Sequence, residues 1–174
     1  MRLCVSAICV LAFAFGVFAQ QPQPQQKETP PAGGQPKPFV FPPQDNFTLP
    51  NGMKVTLVPY GSVPKVAFQL MVYSGTKDDA AGKKAVSEMV AQMLKEGTRN
   101  RTAEQIALET AEMGGGLFVG TGTDSTSIGG EVLSEFDVRF LNLLADVVTN
   151  PNFKTEDLER LRANKLRSLA VART

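Results

Sequence analysis

The sequence predicts an α+β fold, and three observations carry that expectation. Strand-like runs meet across an Asn-Gly pair at Asn51-Gly52, helical periodicity takes over near Ala85, and two further strand-like runs return before a second helical stretch. Phe47-Thr48-Leu49 and Met53 to Val58 flank Pro50-Asn51-Gly52, which signals a tight hairpin. Val66 to Tyr73 (VAFQLMVY) is a third strand, apolar enough to be central in its sheet, and Ser74-Gly75-Thr76 ends it.

Ala85, Met89, Gln92 and Met93 recur at the spacing of one helix face, with Gly97 as the expected C-cap. Thr102 opens the next helix as N-cap, and Gln105 three residues later completes a capping box. That helix runs to about Met113 and stops at Gly114-Gly115-Gly116. Two strands follow, Leu117 to Gly122 and Ser125 to Val132, joined across Thr123-Asp124. Ser134 is expected to cap a helix carrying Phe136, Phe140, Leu143, Leu144 and Val147 on one stripe, and Asn150-Pro151 breaks it.

Thr155 begins a last helix, with Glu156 or Asp157 in its first turn complementing the helix dipole. Its apolar stripe of Leu158, Leu161, Leu166 and Leu169 needs a cover, and the helix runs to Thr174 without a cap, Gly or Pro. Two readings follow: the chain is a fragment, or another polypeptide completes the fold.

Composition narrows the function. The chain has 174 residues and is 43% hydrophobic, enough for one modest domain with a real core. Its 18 basic and 17 acidic side chains leave no field that would hold a nucleic acid. It contains no histidine. Ser-His-Asp and Cys-His chemistry are thereby excluded, as is any His-ligated metal site.

The chain opens with a targeting segment. Arg2 supplies a positive start, Leu3 to Phe18 is an apolar run, and Val17-Phe18-Ala19 offers a cleavage site after Ala19. The expectation is a periplasmic or secreted protein; an uncleaved anchor helix is the rival reading. Cys4 and Cys9 both lie in this segment, so the mature protein should hold no disulfide or thiolate metal site. Gln20 to Gln44 is rich in Gln and Pro, with Gly33-Gly34, and reads as a disordered tether. The organisation expected is a signal peptide over 1–19, a linker over 20–45 and a folded domain over 46–174.

Five stretches in that folded part carry a resemblance. Leu49-Pro50-Asn51-Gly52-Met53, Val72-Tyr73-Ser74-Gly75, Gly82-Lys83-Lys84-Ala85, Met93-Leu94-Lys95-Glu96-Gly97-Thr98, and Asn150-Pro151-Asn152-Phe153 with Glu156-Asp157-Leu158-Glu159-Arg160 follow in order. Together they resemble the front of the M16 (insulinase and mitochondrial-processing-peptidase) family. The resemblance implies a mostly antiparallel sheet with helices packed on one face, an incomplete domain of the M16/LuxS-like metallohydrolase type. It also implies that two such domains form a half-shell, and two half-shells a chamber for unfolded peptides.

Active members of that family hold zinc on an inverted H-x-x-E-H helix, with the Glu as general base on the zinc-bound water. Anchored on Met93-Leu94 and Gly97-Thr98, those positions fall at Glu88, Ala91 and Gln92, and a later glutamate ligand would fall near Ser168. All four differ from the motif, so the resemblance implies a degenerate homologue with no metal, cofactor or catalytic residue. Glu88 and Gln92 could instead share a hydrogen bond at i, i+4. The function expected is a non-catalytic partner or substrate-holding subunit for an active zinc peptidase. The alternative is a truncated fragment of a zinc metallopeptidase.

Three other groups offer weaker signals. Asp78, Asp79 and Glu88 form a loose acidic group of a kind that attracts calcium, without the spacing of a calcium loop. Gly114-Gly115-Gly116 and Gly129-Gly130 lack the spacing of phosphate-binding loops and read as a helix stop and a strand end. Lys95, Arg99 and Arg101 follow a helix end and read as a solvated basic face.

Overall fold

The computed structural model describes Gly34, Pro38 and residues 40–173. The expected signal segment with its cleavage point and both cysteines, and most of the tether, lie outside the described residues. The chain divides into two compact units, Met1–Pro59 and Tyr60–Thr174.

In the first unit, β1 (Asp45–Thr48) and β2 (Lys54–Leu57) pair antiparallel, Asp45 opposite Leu57 and Thr48 opposite Lys54. The turn between them is the one expected. Gly52 takes φ +85, Leu49 N–H donates to Met53 O at 2.9 Å, and Asn51 Oδ1 accepts from Met53 N–H at 3.1 Å. An asparagine that bonds its own turn two residues on is the physical reason for its place there.

The second unit holds a three-stranded antiparallel sheet of order β3-β5-β4, built from β3 (Lys65–Val72), β4 (Gly116–Thr121) and β5 (Thr126–Leu133). The expectation that the VAFQLMVY strand is central is corrected here. β5 is the middle strand, and β3 pairs with it alone among the described residues. Val66, Phe68 and Leu70 of β3 pack on the core, while Ala67, Gln69 and Met71 between them are exposed. The run is apolar on both faces but buried on one, so hydropathy overstated its burial.

Among the described residues four α-helices accompany the sheet: α1 (Val86–Met93), α2 (Ala103–Glu112), α3 (Asp137–Thr149) and α4 (Thr155–Val171). The capping box of α2 is formed as expected. Thr102 Oγ1 accepts from Gln105 N–H at 3.2 Å, and Gln105 Oε1 accepts from Thr102 N–H at 2.9 Å. Thr102→Ala is expected to cost about 1 kcal/mol, read as a lower denaturation midpoint with an unchanged slope. Gly114, with φ +74, follows the C-cap Met113 and ends α2 where the glycine run predicts.

Two expected caps are corrected. α1 ends at Met93 with Leu94 as its C-cap, and Gly97 lies beyond it in the turn bridged to Thr102. Ser134 does not cap α3; one 3-10 turn, Ser134–Phe136, comes first. The Ser134 N–H is already committed to Pro64 O at 2.9 Å, which ties the end of β5 to the start of β3.

The core lies between this sheet and the helices. Met113, Val132, Phe140, Leu143 and Val147 are fully buried, with Leu94, Ile106, Ile128 and Leu144 around them. The apolar stripe of α3 is the one read from sequence, except that Phe136 is only partly buried. Phe140 meets Phe68 at a ring-centroid distance of 5.7 Å in a tilted arrangement. α4 differs: none of its residues is buried, and Leu158, Leu166 and Leu169 are 41%, 59% and 50% exposed.

Candidate functional site

The helix that the family resemblance singles out, α1, is held at its start by a carboxylate. Asp79 Oδ1 accepts from Ser87 N–H at 2.9 Å and from Ser87 Oγ at 2.5 Å. The Ser87 side-chain bond and then its backbone bond hold the Asp79 carboxyl below the ordinary aspartate range. Ala85 precedes the helix with φ +70, a left-handed conformation that costs an alanine roughly 1 kcal/mol. Asp78 takes a different partner, accepting from Gly75 N–H at 3.0 Å. Asp78, Asp79 and Glu88 therefore do not form the acidic group considered from sequence; each is bonded elsewhere.

Glu88, Gln92 and Glu96 recur every fourth residue along α1 and the turn after it, which places them on one side. That side meets α4. Glu88 Oε1 pairs with Lys165 Nζ at 2.5 Å, and Glu96 Oε2 pairs with Arg160 Nη2 at 2.6 Å. Arg160 also pairs with Asp157 at 3.0 Å. Rising residue numbers on α1 meet falling ones on α4, so the two helices run antiparallel. The expected Glu88–Gln92 hydrogen bond is replaced, because a lysine ammonium is a stronger partner for a carboxylate than a neutral amide.

Ser168 lies three residues after Lys165, on the same side of α4. Its Oγ donates to Lys165 O at 2.8 Å. The two helix faces thus carry all four positions that the resemblance assigns to zinc chemistry. Zinc prefers imidazole nitrogen, thiolate sulfur and free carboxylate oxygen. Here Glu88 is ion-paired, Ala91 is 3% exposed and has no donor atom, Gln92 offers an amide and Ser168 an already bonded hydroxyl. These residues do not fit zinc.

A second polar cluster was missed by the sequence reading. Asp146 of α3 is 7% exposed and accepts four side-chain hydrogen bonds. Thr98 Oγ1 donates at 2.7 Å, Asn100 Nδ2 at 2.6 Å, Arg101 Nη1 at 2.7 Å and Asn150 Nδ2 at 2.9 Å. Burial raises the carboxyl, but the bonds from Thr98, Asn150, Asn100 and Arg101 outweigh it and hold the pKa at about 2. Arg101 also pairs with Glu109 at 3.1 Å. Arg101 is therefore not part of the solvated basic face expected from sequence; it is a structural tie between the α1–α2 turn and α3.

The sheet face turned away from the core carries a shallow groove of about 410 Å³. Ala67, Gln69 and Phe118 line it, and the Lys65–Glu131 pair at 2.7 Å borders it. Phe118 is half-exposed there.

The sequence model of the insulinase family, peptidase family M16, matches residues 55–173. The chain belongs to peptidase family M16. An uncharacterized zinc protease of Rickettsia felis is 33% identical to this M16 chain over 120 residues, covering 67% of the chain and 29% of the relative. A probable mitochondrial-processing peptidase subunit beta of Arabidopsis thaliana is 25% identical over 122 residues, 70% of the chain and 23% of the relative. The crystal structure of a peptidase M16 inactive domain from Pseudomonas fluorescens superposes with a TM-score of 0.67 at 25% identity, covering 72% of the chain and 31% of that structure. A Helicobacter pylori protease shares the fold, with a TM-score of 0.66 at 21% identity. The M16 chain spans less than a third of each of these proteins.

Proposed function

We propose that this chain is a non-catalytic M16 protein of the cell envelope, exported through residues 1–19, that partners an active zinc peptidase or holds its peptide substrate. The observation that carries this reading is the Glu88–Lys165 ion pair, set between the two helix faces on which a zinc site of the family would be built. The three ligand positions hold an ion-paired carboxylate, an amide and a hydroxyl, which fall short of a zinc ligand set, and the alanine leaves no general base for a metal-bound water. The likeness to a solved M16 domain described as inactive supports the same reading. The substrate-holding role draws on the exposed groove beside Phe118, whose mixed polar and apolar lining suits an extended peptide.

The test is the native mass, bound zinc and peptide hydrolysis of the protein recovered from its host's envelope fraction. The expected result is a complex with a second M16 chain, no zinc bound to this one, and no hydrolysis by this chain alone. Hydrolysis by the isolated chain that a chelator abolishes would overturn the non-catalytic reading. Recovery as a stable species without a partner would overturn the subunit role.

A further inference from the structure

We infer that Lys165 is the resident cation of the α1–α4 seam, a positioning residue whose ammonium stitches α4 to α1 through Glu88 where a metal would otherwise join the two helices. The inference rests on the non-catalytic reading and adds what replaces the metal. Glu88 and Gln92 project from one side of α1, and Lys165 and Ser168 from the facing side of α4. Within that frame the only charge contact among the described residues is the 2.5 Å pair of Glu88 and Lys165. Across these four positions one carboxylate and one ammonium cancel, so they present no net negative charge to attract a divalent cation.

The seam needs such a stitch because α4 has little else to hold it. No residue of α4 is buried, three of its leucines are largely exposed, and α1 is its main neighbour. Leu161 is half-buried and lies four residues from both Asp157 and Lys165, on the same side of α4 as they do. Attachment by one partly buried leucine and two ion pairs is weak enough for the loss of one pair to be seen. The Glu88 and Lys165 side chains are 37% and 33% exposed, so the pair has the strength of a partly solvated one.

Amide hydrogen exchange of the purified chain tests the stitch, comparing residues 158–171 with β5 in the same molecule. Lys165→Met and Glu88→Gln are each expected to speed exchange in α4 about fivefold, the factor that corresponds to an interaction near the top of the range for exposed pairs. β5 should be unaffected. The exchanged pair Glu88→Lys with Lys165→Glu should bring α4 back to within about twofold of the parent, which a merely steric role for either side chain would not do. Zinc chloride added to the parent chain should change nothing in α4. Unaltered α4 exchange in both single variants, no recovery in the exchanged pair, or zinc-induced protection of α4 would each overturn the inference. Failure of the stitch in this experiment leaves the non-catalytic reading intact, whereas chelator-sensitive hydrolysis would remove that reading whatever the exchange result.

Discussion

Asp146→Ala is expected to destabilise the second unit by about 3–5 kcal/mol, a large part of the stability of an ordinary domain. The carboxylate is the common acceptor for Thr98, Asn100, Arg101 and Asn150, and it lies at 7% exposure among Leu143, Leu144 and Val147. Removing it leaves the Thr98 hydroxyl and the Arg101 guanidinium short of an acceptor that water reaches poorly. Arg101 keeps its second partner Glu109, which limits the damage at that end. Chemical denaturation with a common slope reads the loss; a change below about 1 kcal/mol would show that water replaces the carboxylate without cost.

The same residue sets an acid limit. A carboxyl held at about 2 in the folded protein and near 4 when unfolded adds roughly 2 kcal/mol of stability. Because the folded value is the lower one, that contribution is complete above pH ~4 and is lost as the pH falls towards 2. Asp146→Asn should flatten the stability profile across that window while lowering it above pH ~4. A profile with its parent slope would mean that other carboxylates carry the acid sensitivity.

Gly130→Ala is expected to cost about 3 kcal/mol or more. A Cβ at Gly130 would lie 2.2 Å from Gly116 O and 2.4 Å from Phe140 Cζ. The ring could shift, but the carbonyl belongs to the β4–β5 ladder, where Leu117 faces Gly130. Shortening the ring therefore should not help. The double variant Gly130→Ala with Phe140→Leu is expected to lose about the sum of the two single changes. Rescue of Gly130→Ala by Phe140→Leu would show that the ring, not the strand backbone, demands glycine at this position.

Local chemistry made most of the elements readable. Asn51-Gly52 marked its hairpin, Thr102 and Gln105 their capping box, and Gly114 the end of α2. Each acts on backbone a few residues away, so the evidence and its effect share one stretch of sequence. Ser134 is not the cap because a 3-10 turn, Ser134–Phe136, comes between it and the helix, and its N–H bonds Pro64 O, seventy positions earlier. VAFQLMVY looked central because hydropathy counts residues on both faces of a strand, whereas the fold buries only Val66, Phe68 and Leu70.

The site divides in the same way. The positions Glu88, Ala91, Gln92 and Ser168, which the resemblance assigns to the motif, could be placed from stretches in order along the chain. What Glu88 touches could not, since Lys165 is 77 residues away and only the packing of two helices brings it near. The Asp146 cluster had a weak sequence signal: a charged residue on the apolar stripe of α3, between Leu143 and Val147. A charge at such a position is buried only with partners, but Thr98, Asn100 and Arg101 are 48, 46 and 45 residues away, and only the packing brings them to it.

The strand order β3-β5-β4 also governs when the sheet can exist during synthesis. Val72 pairs with Thr126 and Lys65 with Leu133, so the partners of β3 are made 54 to 68 residues after it. β4 and β5, by contrast, meet across a short turn from Thr121 opposite Thr126. Pairing across a long loop carries a larger entropic cost than closing a hairpin. While the chain is emerging, β3 is thus an apolar ribbon with no mate in this sheet, and the β4–β5 hairpin is the template that finally accepts it. Over that interval the chain presents Phe68, Leu70 and Met71 to whatever escorts it, a sticky segment of the kind that chaperones bind.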